Sequence, residues 1–268
     1  MLFTMTPVKG IRTVVSLRDG RAYIIPLAEG HQKVQGLGVI DVDALGPIEP
    51  GKVVELCGEP FVVLQSGGLT GALSSVERRA QIITLKDIGP IVARLGVAPD
   101  SRVVEIGGGS GYLTIALAHF VGENGKVVTY DREPKAIELV RRNLHRAGYE
   151  SRVELVEKDP KDITGGADID ALVADVPDPW ELLKFAESSL KPGAWAVFYT
   201  PSMNQVESVV RALRKRGWHG TYTLETLERQ MVVGEHGVRP SFEMLGHTGY
   251  LTFSRWLGNE AAERASSN

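Results

Sequence analysis

From Arg102 onward, short apolar runs alternate with longer stretches of helical periodicity. The runs at 102–106, 125–130, 153–158, 171–174, 195–199, 221–227 and 249–253 have strand length and are rich in valine, isoleucine and aromatics. Between them, 113–121, 134–146, 179–190 and 205–215 repeat apolar positions every three to four residues. Strands that alternate with helices predict a parallel sheet covered on both faces. The loop 230–247 joins the last two runs, which suits an antiparallel hairpin at the sheet edge, and Gly148 suits a helix stop.

The first 70 residues follow another rhythm. Segments 13–17, 22–25, 52–56 and 61–64 are short and β-branched, with turn signals at Arg18-Asp19-Gly20, Leu45-Gly46-Pro47 and Glu49-Pro50-Gly51. The pattern divides the chain into a small β-rich domain over 1–70, an α/β domain over 71–258 and a flexible tail over 259–268. Residues 65–71 read as a linker, and 75–95 as mostly helical with Asp87 and Pro90 near a helix start.

Chemistry concentrates where the strand 102–106 ends. Glu105 is followed by Gly107, Gly109 and Gly111, so an apolar run closes in an acid and then a tight turn with a helix beyond. That arrangement holds a ligand at the carboxyl end of a parallel strand. A dinucleotide site would need G-x-G-x-x-G, whereas the spacing here is E-x-G-x-G-x-G, with Tyr112 after the last glycine. Asp131 closes the next strand, placed to accept hydrogen bonds from ribose hydroxyls or to cap the helix at Pro134. Asp159 closes the third strand, at the place that would reach an adenine amino group, with Asp162 close by. Asp175 closes the fourth, followed by Val176-Pro177-Asp178-Pro179-Trp180, and is either a catalytic acid or a helix N-cap.

Composition narrows the classes. A net charge of −3 gives no basic footprint for nucleic acid over the whole chain. A nucleic-acid substrate must therefore bind a local patch or a surface built from several subunits. Arginine clusters at 78–79, 141–146 and 211–216 are the local candidates, each also readable as a solvated helix face. The lone Cys57 excludes an internal disulfide framework and a cysteine-rich zinc site, and fits a cytoplasmic setting. No run approaches the ~20 apolar residues that cross a bilayer. The first residues, with a second candidate start at Met5, lack a signal-peptide pattern.

The glycine turn resembles motif I of the class I S-adenosylmethionine methyltransferases. Methyl transfer is an in-line displacement, so a carboxylate such as Asp175 beside an acceptor that gains positive charge would stabilise the transition state. Arg78-Arg79-Ala80-Gln81-Ile82-Ile83 with Lys86-Asp87, Asp175 through Trp180, Val238-Arg239-Pro240, and Gly246 through Leu251 resemble the tRNA (adenine-N1)-methyltransferases, which modify adenine 58, or 57 and 58 in some archaea. The resemblance spans about 75–256.

The resemblance implies a Rossmann-like seven-stranded sheet and a homotetramer acting on tRNA, with no metal. It implies Asp175 as the catalytic carboxylate on the adenine N6 amino group. S-adenosylmethionine would be held by Gln81, Glu105, Gly107, Gly109, Ser110, Gly111, Tyr112, Leu113, Asp131 and Asp159. The chain departs from the family at Thr84, where a tyrosine is common, and at Asp131, where glutamate is more usual.

Three rivals remain at this stage. The turn also resembles the protein L-isoaspartyl methyltransferases, which lack the D-x-P-x-P-W segment, and a small-molecule enzyme of the precorrin type shares it. A catalytically silent RNA-binding subunit is disfavoured by the intact turn and acids. His247 reads as structural. Tyr112, Trp180, Tyr199 and Phe242 are candidate stacking surfaces for an extracted base.

Overall fold

A computed structural model describes residues 11–266 apart from 28, 35, 46–47, 65–67, 75, 80, 160–161, 164–167 and 235–236. The candidate start at Met5, Gly46-Pro47 of one expected turn and residues 65–67 of the expected linker lie outside the described residues.

The N-terminal strands β1 (Ile11–Ser16), β2 (Ala22–Pro26), β3 (His31–Val34), β4 (Gly38–Asp41), β5 (Val53–Leu56) and β6 (Glu59–Val63) form two antiparallel units. One is a sheet of order β2-β1-β6-β5, and the other is the β3-β4 hairpin. Val14, Ile25, Val34, Ile40, Leu56 and Phe61 share one buried core between them. The hairpin escapes the sequence reading because His31-Gln32-Lys33 is polar and only Val34 and Ile40 point inward.

Helix α1 (Gly68–Ser74) replaces the second half of the expected linker, with Ala72 and Leu73 buried. Helix α2 (Leu85–Leu95) begins ten residues later than the helical stretch expected from residue 75; Asp87 lies in its first turn as expected, while Pro90 lies inside the helix. Residues 76–79 and 81–84 belong to neither helix nor strand. The physical reason lies in their partners: the backbone of this segment bonds to the side chains of Asn143 and Ser110.

The larger sheet contains β7 (Arg102–Ile106), β8 (Lys126–Asp131), β9 (Val153–Glu157), β10 (Ile169–Ala174), β11 (Leu190–Thr200), β12 (His219–Glu225) and β15 (Tyr250–Arg255). Between β12 and β15 stands a separate hairpin of β13 (Met231–Gly234) and β14 (Gly237–Pro240). The order is β12-β15-β11-β10-β7-β8-β9, parallel from β9 to β11, with β15 antiparallel to both its neighbours. The seven expected strands are thus all present, with the expected antiparallel pair at the edge.

Both faces of the sheet are covered, as the uninterrupted apolar character of its strands requires. Val103, Ala171, Val173, Val197 and Phe253 point to one core, shared with α2, α3 (Tyr112–Phe120) and α4 (Pro134–Ala147). Val104, Ile106, Leu172, Ala174 and Phe198 point to the other, shared with α5 (Leu183–Ser189), α6 (Met203–Lys215) and α7 (Asn259–Ser266). Alternate residues of one strand serve opposite cores, which is the period of two of extended backbone. The final helix α7 corrects the expectation of a flexible tail, because its Ala262 is buried beside Trp218 and Trp256.

Candidate active site

In the parallel part of the sheet the order in which strands are added reverses between β7 and β10, and such a switch point leaves a crevice at the carboxyl ends of the two strands. The glycine turn leaves β7 and Asp175 follows β10, so both open into it. Asp175 N–H donates to the Ile106 carbonyl at 2.9 Å, extending the pairing by one residue past the strand. A β-carbon on Gly107 would stand 2.1 Å from the Asp175 carbonyl oxygen, so only glycine permits this approach.

Gly107, Gly109 and Gly111 have φ of 95°, 54° and 77°, the left-handed region in which side chains are strained. Gly111 begins α3, and Gly108 N–H and Gly109 N–H both donate to Asp131 Oδ2, at 3.1 and 3.2 Å. The other oxygen, Oδ1, accepts from Glu133 N–H at 2.9 Å. Asp131 therefore braces the turn, while the N-cap of α4 is Glu133.

Above the turn lies a cavity of about 680 Å³, within the range that encloses a small-molecule ligand. Seven residues singled out from sequence meet in its wall: Gln81, Gly107, Gly109, Ser110, Asp131, Asp159 and Asp175. Four do not. Gly111 packs against Val140, and Leu113 lies in the core under the sheet. Tyr112 is buried with the Arg78 guanidinium over its ring, 5.2 Å from the centroid.

Glu105, the fourth, is 1% exposed beneath the turn, where Oε2 accepts from Thr114 Oγ1 at 2.6 Å and Thr129 Oγ1 at 2.8 Å. Burial pushes its carboxyl up to about 8. It links β7, α3 and β8 and does not reach the cavity wall. Periodicity could not separate these four from the true lining, because inward and outward positions alternate within a single turn.

Sequence reasoning named Arg79 in a basic cluster next to Gln81 but did not single out Arg132 and Lys135, which with it bring positive charge to the wall, or Asp178 and Glu181, which bring negative charge. Leu139, Val176 and Leu182 add apolar surface. Arg132 and Val176 sit within two residues of a strand end, a signal the sequence carries, whereas Leu139, inside α4, has none.

Asp175 does not cap a helix; the following 3₁₀ turn starts after Asp178. Withdrawal from water pushes the Asp175 carboxyl up to about 6, and the Asp131 charge adds to this. It is thus ionised at neutral pH in a site that favours any cation placed beside it.

The remaining candidates lie apart. Trp180 packs against the core on the α5 side, and Phe242 is 84% exposed with the Arg239 guanidinium over its ring. Tyr199 closes β11, buried, its hydroxyl pushed up to about 12 by burial. His247 bonds through Nδ1 to Glu225 at 2.6 Å and through Nε2 to the Pro201 carbonyl at 3.0 Å, a structural histidine. Thr84 precedes α2 and donates to Asp87 at 3.1 Å. Among the described residues no cluster of histidine, cysteine or acids is arranged to hold a metal, and no helix is long and apolar enough to cross a membrane.

Comparison with known proteins places this geometry. A tRNA (adenine(57)-N(1)/adenine(58)-N(1))-methyltransferase TrmI from Methanocaldococcus jannaschii is 35% identical, covering 82% of this chain and 86% of the relative. The solved tRNA (m1A58) methyltransferase TrmI from Aquifex aeolicus superimposes with a TM-score of 0.76 at 26% identity, covering 95% of this chain and 99% of that one. A SAM-dependent O-methyltransferase from Thermotoga maritima superimposes with a TM-score of 0.82 at 26% identity, covering 96% of each chain. The family profile of the tRNA methyltransferase complex GCD14 subunit matches residues 70–238, and the chain belongs to that family.

Proposed function

We propose that the protein methylates N1 of adenine in tRNA, at position 58 and in the manner of its archaeal relative also 57, with S-adenosylmethionine as donor. One observation carries the reading: Asp175 stands beside the glycine turn at the switch point of the sheet, desolvated yet ionised, in the same cavity. The donor reading is supported by the lining: Gly107 and Gly109 present bare backbone to the cavity, and Asp131 accepts from the turn's N–H groups beside it. Bound there, S-adenosylmethionine supplies a methyl group whose bond to sulfur breaks, its electrons staying on sulfur, as the adenine N1 lone pair forms the new bond.

The chain's own residues do the rest. Asp131 would hold the donor's ribose and Asp159 its adenine, both from the cavity wall. Asp175 accepts a hydrogen bond from the N6 amino group of the target adenine, orients N1 toward the methyl group and stabilises the positive charge that the ring gains. A protonated aspartate could still accept the hydrogen bond but would not stabilise that charge. Arg79, Arg132 and Lys135 at the cavity bring positive charge toward the RNA backbone, the local patch that an overall acidic chain requires.

The β13-β14 hairpin supports a homotetramer as the working form. Every residue described in it is exposed, including Met231, Val232, Val233 and Val238, and Phe242, Met244 and Leu245 follow it. An apolar surface of this kind marks a protein contact. Incubation with methyl-labelled S-adenosylmethionine and an unmodified tRNA transcript tests the reading: label on adenine N1 supports it, and label on an isoaspartyl peptide but not on tRNA overturns it.

A further inference from the structure

We propose that Asn143 is a positioning residue for the methyl donor, acting by latching the segment 76–84 against the glycine turn. The inference rests on the reading of the cavity as the S-adenosylmethionine site. Asn143 lies on α4 and is fully buried, so its amide must find all its partners within the protein.

Those partners come from two separate places. Oδ1 accepts from Glu77 N–H at 3.0 Å, while Nδ2 donates to the Glu77 carbonyl at 3.0 Å and to the Ser110 carbonyl at 2.8 Å. Both amide hydrogens are used, and the orientation is unique. Flipping the group would set its oxygen against two carbonyls and its nitrogen against an N–H. Asn143 thus pairs with both backbone groups of Glu77 as a neighbouring strand would, and joins that residue to the turn.

Val76 and Ile83 pack into the core and the Arg78 guanidinium lies over the Tyr112 ring, so apolar and cation–π contacts also hold the segment. Having no helix or strand of its own, it is tied to the turn by Arg79 N–H donating to Ser110 Oγ at 3.2 Å. The Glu77 carboxylate meets Arg146 at 3.5 Å and Arg142 at 3.8 Å, half-exposed ion pairs that contribute little. Arg79 and Gln81, on this segment, and Ser110, on the turn, all line the cavity. Loss of the amide therefore frees one wall of the donor site while Asp175, on the far side, keeps its place.

The chemistry demands an amide. Aspartate would face two carbonyls with a carboxylate oxygen, and leucine would leave three backbone groups buried without partners. The test uses the full-length protein. Calorimetry of the wild type with S-adenosylmethionine comes first: absence of binding refutes the donor assignment itself. Given binding, Asn143→Asp and the milder Asn143→Ser are expected to raise KM for S-adenosylmethionine about 10-fold or more. At saturating donor and tRNA, kcat should stay within about twofold of wild type. Hydrogen exchange should quicken over 76–84.

Leu144→Ala, in the core on the same helix, supplies the control for stability loss. If it raises KM for S-adenosylmethionine as much as an Asn143 variant of equal melting temperature, or if both Asn143 variants fail to fold, the proposal is overturned.

Discussion

Gly107 and Asp175 approach so closely that a β-carbon on the glycine would lie 2.1 Å from the aspartate's carbonyl oxygen, which couples the donor turn to the proposed catalytic loop. Gly107→Ala must displace one of them, and it also places a side chain at φ 95°. The backbone strain alone costs about 1–3 kcal/mol. The variant is expected to melt several degrees lower and to lose both S-adenosylmethionine binding and transfer. Wild-type calorimetric affinity in Gly107→Ala would contradict the packing described.

Asp175 should separate binding from chemistry. Asp175→Asn is expected to keep donor affinity within a few-fold and to lose about 100-fold or more in kcat, the scale on which one electrostatic contact to a transition state acts. In the wild type, kcat/KM should rise as pH increases through about 6, where the carboxylate of the unliganded protein ionises. Stability runs the other way. With its folded value raised above 3.8, Asp175 stabilises the fold when protonated, and that contribution is lost as pH rises from about 4 through 6. Asp175→Asn is therefore expected to be more stable than wild type above pH 6 by about 1–3 kcal/mol. A pH-independent difference in urea unfolding would count against this.

Glu105 gives a second pH signature without reaching the cavity wall. Its carboxyl is raised from 4.5 to about 8, so the wild type should lose stability progressively between those values as the unfolded chain ionises and the folded one does not. Glu105→Gln keeps the shape and both threonine contacts. Its advantage in stability should grow from pH 4.5 to 8, reach a few kcal/mol and then level off. Parallel curves for the two proteins would show that Glu105 is ionised in the fold.

Lys86 and Asp87 form a buried pair that anchors the base of the 227–247 excursion. Asp87 is fully buried and accepts from Lys86 Nζ at 2.8 Å and Thr248 Oγ1 at 2.8 Å, while Lys86 donates to the Thr226 carbonyl at 2.8 Å. Asp87→Ala leaves the ammonium buried without its counter-charge and should destabilise by about 3–5 kcal/mol in denaturant unfolding. A change under 1 kcal/mol would mean that water reaches the pair.

The exposed hairpin should report on assembly. Val233→Asp combined with Phe242→Asp is expected to shift sedimentation from a tetramer toward smaller species. A wild type that already sediments as a monomer would remove the role given to β13 and β14.

Much of this was legible because valine-rich strands and glycine spacing are local signals. The β7 turn and Asp131, Asp159 and Asp175 are found by counting from strand ends, and the switch in strand order brings them together. What escaped detection depends on distant partners. The segment 76–84 has helical composition, yet its backbone is claimed by Asn143 and Ser110, 66 and 31 residues away. Glu105 carries the motif but is buried under it. Apolar periodicity finds α3, but Tyr112 and Leu113 turn into the core and not toward the cavity, which no pattern within the turn distinguishes.

The central claim is the acceptor atom, on which the names of the structural relatives differ. The direct measurement incubates the wild type and Asp175→Asn with S-adenosylmethionine and unmodified tRNA transcripts carrying adenine or guanine at position 58, then analyses the nucleosides by mass spectrometry. The account predicts N1-methyladenosine with the wild type, sharply reduced when position 58 is guanine and near background with Asp175→Asn. Methylation of a ribose or other oxygen, or N1-methyladenosine formed equally by Asp175→Asn, would contradict it.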